Sequence, residues 1–313
     1  MLEIIKSGPQ LSIQDFGRFG HRHLGISQCG AADADAMRIA NILLGNDENT
    51  PVLEITLGMA SFTFTAPTHF ALCGADMNAN LDGQKLYCGW NYTAKAHQQL
   101  TFATGTQGLR CYLAISGGFK TQAILGSAST DIMAGFGLSQ GHLLQSSDTL
   151  SYTSDTSEFV KVGAQLPSRE GPIHFIIEPR EHGLTKNVVE QLCHDTWSIG
   201  AQSNRMGLRL TPSNQLCSLR HCLSIRSTAV SPGTIQLPPS GEPIVLLNDC
   251  QTTGGYPIIG QVIAADLSRL GQLRGGDSIE FKAITAEQAA QMNADHYIHF
   301  NKLRIATRYQ LSR

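Results

Sequence analysis

Residues 243–261 read PIVLLNDCQTTGGYPIIGQ, two apolar runs separated by a polar loop. Residues 244–247 and 258–263 are apolar and rich in β-branched side chains, so each run predicts a buried strand. The loop supplies a carboxylate, two amides and two hydroxyls around the pair Gly254-Gly255, which permits positive φ or a close approach to a ligand. The stretch predicts strand, loop and strand, and the loop is either a polar hairpin turn or the lining of a site.

Length and composition indicate a mainly β protein of two domains. The chain has 313 residues, 31 glycines and a charged fraction of 15%, which is typical of a compact, turn-rich fold of short strands. A polar stretch over residues 151–171 is the best linker candidate. We therefore expect a β-rich domain at 1–160 and a second β domain at 161–313 that carries the loop described above.

Charge and hydropathy argue against several classes of partner. The formal net charge of −2 gives no reason to expect nucleic acid or an anionic membrane as a partner. No run of about 18 apolar residues occurs, and the first residues lack the long apolar core of a signal peptide. We expect a cytoplasmic protein.

The eight cysteines predict buried, reduced thiols. They contain no C-x-x-C pair, and several lie inside apolar runs. The histidines offer no better ligand spacing, because His21 and His23 are two apart in a loop and Cys193 and His194 are neighbours. No metal site is predicted.

The segment SIQDFGRFGHRHLG, residues 12–25, predicts a loop because its polar residues fit neither a period of two nor one of 3.6. Within it, Gln14, Asp15 and Arg18 are candidate site residues. Asp15 and Arg18 are close enough to pair, and a fixed guanidinium can hold a carboxylate or phosphate; the other reading is a glycine-rich surface loop. Glu54, in an otherwise apolar strand, is either on the solvent face or held by a partner such as Arg18.

Helix signals are clearest at two places. Asp33 or Asp35 caps a helix that Gly45 ends. Thr285 and Gln288 form a capping box for a last helix, and we expect the tail after that box to be dispensable to the core.

Two further segments carry candidate side chains. SNRMGLRL, residues 203–210, places Arg205 and Arg209 so that both can point into one groove, although a pair of solvated arginines is the alternative. Gln236 lies in the strand just before the polar loop. No P-loop and no G-x-S-x-G elbow occurs in the chain.

Eight segments together resemble a known family. In chain order they are IQDFGRFG, GAADADAMRIANILLGN, CGADMNANLDG, CYLAISGG, LGSAST, SNRMGLRL, GTIQLPPSGEPIVLLNDCQTTGGYP and ADLSRLGQLRGGD. They resemble the biotin-dependent carboxyltransferase or allophanate hydrolase subunit 2 family, over about Ile4 to Phe281. That family includes the C subunit of bacterial 5-oxoprolinase, the antagonist of the sporulation kinase inhibitor, and part of urea carboxylase. The resemblance implies two β-barrel-like domains related to cyclophilin, with a few short helices.

The resemblance also implies a reaction and partners. In the oxoprolinase members, the B and C subunits phosphorylate the lactam of 5-oxoproline with ATP, and hydrolysis to L-glutamate is completed by an A subunit of the lactam-utilisation type. This implies ATP with Mg, shared with a B subunit of the allophanate hydrolase subunit 1 type, as cofactor. Covalent biotin on this chain is not expected, because no Met-Lys acceptor pair occurs. Phosphorylation suits a lactam, whose carbonyl is a poor electrophile without a leaving group.

On this basis we assign roles as hypotheses. The predicted catalytic residues are Asp15, Arg205 and Asp249, with Asp15 or Asp249 handling a proton or a metal and Arg205 contacting an anion. The predicted substrate-binding residues are Gln14, Arg18, Arg209, Gln236, Gln251, Thr252, Thr253, Gly254, Gly255 and Tyr256.

The sequence departs from the family pattern at two places, and two alternative functions are considered beside the oxoprolinase one. Ala128 replaces the arginine common in the family's GSRST motif, and Ser139-Gln140 replaces a following Gly-Arg. Either that loop lies outside the site or this member binds its anion differently. The alternative functions are a carboxyltransferase subunit of a biotin-dependent urea or amide carboxylase, and a regulatory protein that antagonises a kinase inhibitor.

Overall fold

The computed structural model describes residues 1–179, 186–212 and 225–312. They form two compact units, the first comprising Met1–Phe19, Cys29–Pro167 and Phe300–Arg313, the second Gly20–Gln28 and Ser168–His299. The main division follows Pro167, seven residues after the predicted one. Two short segments cross this division. Gly20–Gln28, from the first half of the chain, belongs to unit 2, and Phe300–Arg313, from the second half, belongs to unit 1.

Unit 1 contains eleven strands in its described residues, arranged in two sheets. They are β1 (Leu2–Ser7), β2 (Gln10–Gln14), β3 (Val52–Thr56), β4 (Ala60–Phe64), β5 (Thr68–Gly74), β6 (Asn80–Leu81), β7 (Gln84–Lys85), β8 (Trp90–Ala94), β9 (Gln99–Thr101), β10 (Arg110–Ile115) and β11 (Thr149–Leu150). One sheet has the order β11-β1-β4-β9-β6-β7 and the other the order β2-β3-β10-β5-β8. Phe62, Phe64 and Phe70 lie in the main core cluster of this unit.

Helix α1 (Ala34–Ile42) packs against β5 and β10 of unit 1. Asp33 is its N-cap, since its Oδ1 accepts from the Ala36 amide at 2.9 Å. Glu54 on β3 is buried and accepts from the Tyr112 hydroxyl at 2.8 Å, and Arg110 Nε lies 3.4 Å from its other oxygen. Arg110, not Arg18, is therefore the charged partner of Glu54.

Unit 2 is built on a nearly closed barrel. Its strands are β12 (Ile173–Ile177), β13 (Trp197–Ile199), β14 (Gly207–Pro212), β15 (Thr228–Ala229), β16 (Thr234–Gln236), β17 (Ile244–Leu246), β18 (Thr253–Gly254), β19 (Ile258–Val262), β20 (Ser278–Ile279) and β21 (Phe281–Ala283). Eight of them form a sheet of order β20-β13-β14-β17-β16-β19-β12-β21. Because β20 and β21 stand at opposite ends of that order but only Glu280 separates them in the chain, the sheet curls back on itself.

The barrel encloses a core that includes Phe175, Trp197, Leu210 and Val245. Helices α2 (Lys186–His194) and α3 (Ala264–Leu270) belong to the same unit. Within the part of the chain that the structure describes, strands β15 and β18 pair only with each other and form a separate two-stranded ribbon, hereafter the ribbon. The prediction of a mainly β protein with barrel-like architecture is confirmed.

The cysteines predicted to be reduced include Cys73, Cys88 and Cys111, which carry free thiols. Burial raises the pKa of Cys73, and the hydrogen bond with Cys88 together with burial raises the pKa of Cys111. The Cys73 and Cys111 thiols therefore stay protonated and act as small apolar side chains. Cys217 and Cys222 lie outside the described residues. The sequence also predicts a short helix over about residues 185–194, and Thr185 lies outside the described residues.

The last helix, α4 (Ala286–Leu311), is longer than the short helices expected. Its capping box is confirmed, because the Thr285 amide donates to Gln288 Oε1 at 3.0 Å and the Gln288 amide to Thr285 Oγ1 at 3.2 Å. The expectation that the tail is dispensable is wrong. Phe300 is buried in the α1 cluster, and the Arg38 guanidinium lies 4.6 Å from the centre of its ring.

No helix within residues 1–179, 186–212 or 225–312 has both the length and the hydropathy needed to cross a membrane.

Replacing Phe300 by Ala should lower the free energy of unfolding by about 3–5 kcal/mol, because the ring leaves a cavity in a closed cluster. Urea unfolding of the full chain measures this. Ile305→Ala is the control, since that side chain is exposed on the same helix. Equal losses for the two variants would show that the end of α4 is not part of the core.

Candidate functional site

A cavity of about 230 Å³ lies in unit 2. Its polar lining residues are Gln202, Asn204, Arg209, Gln236, Gln251 and Tyr256. Met206, Ile244 and Leu246 supply apolar surface. Four of the predicted substrate-binding residues are thus brought together: Arg209, Gln236, Gln251 and Tyr256.

The barrel wall places two of these side chains in one row. Arg209 on β14 and Gln236 on β16 are both cross-strand partners of Ile244 on β17, one from each side. Cross-strand partners point to the same face of a sheet. With neighbouring strands about 4.8 Å apart, the backbones of Arg209 and Gln236 are roughly 10 Å apart across Ile244.

The row lies on the opposite face of the wall from the barrel core. Leu208, Leu210, Val245 and Ile235 alternate with the row residues along the three strands and belong to the core cluster. The period of two therefore gives each strand one face in the core and one in the cavity.

Gln236 is the most informative residue in the cavity. It is 1% exposed, and its Nε2 is buried without a hydrogen-bond partner among the described residues. A buried amide group without a partner costs about 1–3 kcal/mol. Such a cost is offset when a ligand supplies the missing hydrogen bonds.

The glycine pair explains how the ribbon passes over Gln236. A Cβ at Gly254 would lie 2.5 Å from Gln236 Nε2. Neither Gly254 nor Gly255 has the left-handed φ that the sequence allowed for. A side chain at position 254 would thus have to displace the Gln236 carboxamide.

Arg209 brings a positive charge to the cavity. The residue is exposed, and its guanidinium has no partner among the described residues. Its hydrogen bonds are made by the backbone, whose amide donates to Ser203 Oγ at 3.0 Å. A guanidinium in this setting suits a carboxylate or a phosphate group.

Arg205 and Asp249 form an ion pair instead of lining the cavity. Arg205 Nε lies 2.7 Å from Asp249 Oδ2 and its Nη2 lies 2.9 Å from Oδ1, and Arg205 is buried. The fork geometry satisfies both charges. The pair holds the start of the polar loop, so the structure gives these residues a positioning role, and their catalytic role stays a prediction.

Of the loop's other predicted residues, Thr252, Thr253 and Gly255 do not line the cavity. Thr253 belongs to β18, and the backbone oxygen of Thr252 accepts from the Val230 amide at 3.0 Å. The carbonyl of Gly255 accepts from the Ile225 amide at 3.0 Å. These residues build the ribbon, and Gln251 and Tyr256 at its two ends reach the cavity.

Asp15 belongs to unit 1 and is buried. Its carboxylate accepts from the hydroxyls of Ser127 and Ser129, both at 2.5 Å, from the Ala128 amide at 2.7 Å and from the Gly17 amide at 2.8 Å. Ala128, which stands where the family commonly has an arginine, therefore donates its backbone amide to Asp15. The Ala128 side chain is itself buried.

Arg18 is fully buried in the same unit. It donates to the carbonyl oxygens of Ile124 at 3.2 Å and Ser127 at 3.5 Å, and also to that of Ser129. The expected Asp15–Arg18 pair is wrong, because both side chains bond the loop at 124–129 instead. Gln14 donates to Ser12 Oγ at 3.0 Å. The predicted binding and catalytic roles of Gln14, Asp15 and Arg18 stay predictions.

Sequence reasoning missed six of the residues that line the cavity: Gln202, Asn204, Met206, Gly207, Ile244 and Leu246. The apolar run at 244–247 predicts a buried strand, whereas Ile244 is half-buried. Ile244 lies opposite Arg209 and Gln236 on the neighbouring strands, and the side chains of a strand face the same side at every second residue. These two facts together assign Ile244 and Leu246 to the cavity face.

Known proteins share this architecture. The family model of the carboxyltransferase domain, subdomain A and B, matches residues 24–283. The chain belongs to the carboxyltransferase domain family. It is 38% identical over 304 residues to the C subunit of 5-oxoprolinase from Escherichia coli K12, covering 97% of each chain. It is 37% identical to the protein of the same name from Haemophilus influenzae, covering 97% of this chain and 98% of that one.

Among solved structures, the K. lactis urea amidolyase matches with a TM-score of 0.86 and 26% sequence identity. The match covers 96% of this chain and 20% of that chain. This carboxyltransferase fold therefore also occurs as one part of a much longer enzyme.

The cavity fits a small ligand better than a nucleotide. Its volume is below the roughly 300–1,000 Å³ of pockets that enclose drug-sized ligands. Arg209 is the one cation and no carboxylate stands among the described residues that line it. In the described parts of the chain, no group of three or more His, Cys, Asp or Glu residues is placed to hold a metal ion. The lining does not fit ATP with Mg.

Replacing Gln236 by Met should stabilise the ligand-free chain by about 1 kcal/mol, because it removes a buried donor that has no partner. Thermal or urea unfolding measures this. Gln261→Met is the matched control: Gln261 donates to the Pro232 carbonyl at 2.6 Å and accepts from Thr234 Oγ1 at 2.9 Å. It should destabilise the barrel. A similar loss in both variants would mean that the Gln236 amide is satisfied.

Proposed function

We propose that this chain is the C subunit of an ATP-dependent 5-oxoprolinase. In this role it binds 5-oxoproline and, with a B subunit, activates the lactam for hydrolysis to L-glutamate. The 38% identity to the E. coli protein over 97% of both chains supports this assignment.

One observation carries the substrate proposal: the Gln236 carboxamide, whose buried Nε2 has no partner among the described residues, shares one small cavity with the guanidinium of Arg209. A lactam ring fixes its N–H and C=O on the same side. A primary carboxamide offers one acceptor and one donor side by side, so it can bond both groups at once. The substrate's carboxylate would pair with Arg209, and Ile244, Leu246 and Met206 would contact its ring carbons.

The nucleotide is assigned to the partner. Phosphorylation forms a bond between the lactam oxygen and the γ-phosphorus of ATP and breaks the bond from that phosphorus to ADP. Because the cavity in this chain suits neither the size nor the charge of ATP with Mg, we place the phosphate and metal contacts on the B subunit, of the allophanate hydrolase subunit 1 type. An A subunit of the lactam-utilisation type would complete the hydrolysis.

A second candidate is a carboxyltransferase subunit acting on urea or a similar amide. The TM-score of 0.86 to the K. lactis urea amidolyase favours it. Urea also offers N–H and C=O groups to a carboxamide, but it is neutral and leaves Arg209 without a counter-charge. The charge on Arg209 therefore discriminates between the two candidates.

The test is phosphate release from ATP by this chain co-purified with its B and A subunits, with 5-oxoproline, urea or 2-pyrrolidinone added. We expect stimulation by 5-oxoproline and none by urea. Arg209→Ala should raise KM for 5-oxoproline about 10- to 100-fold, the effect of losing a charge-assisted hydrogen bond of about 1.5–3 kcal/mol. It should change the weak response to 2-pyrrolidinone little, because that lactam has no carboxylate.

Arg308→Ala is the control, since Arg308 is exposed on α4. It should leave all three responses unchanged. A complex that forms but is not stimulated by 5-oxoproline would contradict the oxoprolinase assignment, and stimulation by urea together with bicarbonate and a biotinylated partner would favour the second candidate.

A further inference from the structure

The segment Gly20–Gln28, near the start of the chain, belongs to unit 2. It contacts the ribbon at the end next to Val230 and Gln251, hereafter the base of the ribbon. Arg22 begins a short 3-10 helix there, Arg22–Leu24. Its Nη2 donates to the carbonyl oxygen of Val230 at 2.6 Å and to that of Gln251 at 2.8 Å. One guanidinium nitrogen therefore joins two backbone segments that are 21 residues apart in sequence.

These two carbonyls lie where the ribbon begins. Ala229 pairs with Thr253 and Thr228 with Gly254. The next residues toward the base are Val230 and Thr252, joined by the hydrogen bond from the Val230 amide, and Gln251 is the next residue beyond Thr252 in that direction. Arg22 thus closes the open end of the ribbon with a charged donor. Ser27 adds a second tether, because its Oγ donates to the Cys250 carbonyl at 3.0 Å.

The ribbon needs such tethers. It has two residue pairs, and a two-stranded ribbon of that length is at best marginally stable alone. Its position determines the cavity, since Gln251 and Tyr256 at its ends line the cavity and Gly254 lies against the Gln236 carboxamide. A shift of the ribbon would change the volume that a ligand can occupy beside Gln236.

We infer that Arg22 is a positioning residue for the substrate cavity: it fixes the ribbon and, through the ribbon, Gln251 and the space over Gln236. The substrate part of this inference rests on the proposed function. The structural part does not, because the hydrogen bonds to Val230 and Gln251 are independent of any ligand.

The first test is hydrogen exchange of the full chain without ligand. Arg22→Ala should speed exchange of the amides in residues 227–231 and 251–255 by about tenfold or more, with β14 and β17 unchanged, as for a local opening. Arg22→Lys should recover most of the protection, since an ammonium group has three donors for the two carbonyls. Arg226→Ala is the matched control, because Arg226 is an exposed ribbon-side arginine with no side-chain partner among the described residues.

The second test is kinetic and uses the complex with its partner subunits. Arg22→Ala should raise KM for 5-oxoproline about tenfold while kcat stays within about a factor of two, and Arg22→Lys should restore KM. Unchanged exchange in Arg22→Ala would overturn the inference. Faster exchange with an unchanged KM would also overturn it, because the ribbon would then not position the cavity.

If the wild-type complex shows no response to 5-oxoproline, the proposed function fails. The exchange experiment then decides alone whether Arg22 fixes the ribbon. The failures of the two proposals are thereby distinguishable.

Discussion

The polar loop after β17 depends on the ion pair between the buried Arg205 and the half-buried Asp249. The pair is bidentate, and the Asp249 amide also donates to the Arg205 carbonyl at 3.1 Å. Removing one partner of a buried pair leaves an uncompensated charge and costs about 3–5 kcal/mol. The pair therefore fixes the point at which the chain leaves the barrel wall, at the start of the loop that leads to Gln251 and the ribbon.

The two faces of the barrel wall have different roles. One face of β14, β16 and β17 packs in the barrel core, and the other carries Arg209, Ile244 and Gln236. Between the ribbon and the wall, Val230, Leu246, Cys250 and Ile258 form a small apolar cluster that the barrel core does not include. The wall is stabilised by its core whether or not the cavity is filled, so the cavity face can retain an amide donor, Gln236 Nε2, that has no partner among the described residues. Stability and ligand recognition are thus carried by opposite faces of the same strands.

Local patterns in the sequence predict a large part of this arrangement. The apolar runs on either side of the polar loop predict β17 and β19, and the density of amides and hydroxyls between them indicates a site that Gln251 and Tyr256 line. Arg209 and Gln236 follow from their places in neighbouring strands. The mainly β class follows from composition and from the family resemblance.

Contacts between distant parts of the chain are not predictable in this way. Asp15 and Arg18 bond backbone and hydroxyl groups of residues 124–129, more than 100 positions away, and a backbone carbonyl gives no signal in the sequence. For the same reason, the place of Gly20–Gln28 in unit 2 and the burial of Phe300 in unit 1 could not be read from composition.

The measurement that tests the central claim most directly is a crystal structure of this chain with 5-oxoproline. We predict ligand density in the cavity, with the lactam bonded to the Gln236 carboxamide and the carboxylate to Arg209. An empty cavity at saturating ligand, or density bound elsewhere on the chain, would contradict the claim.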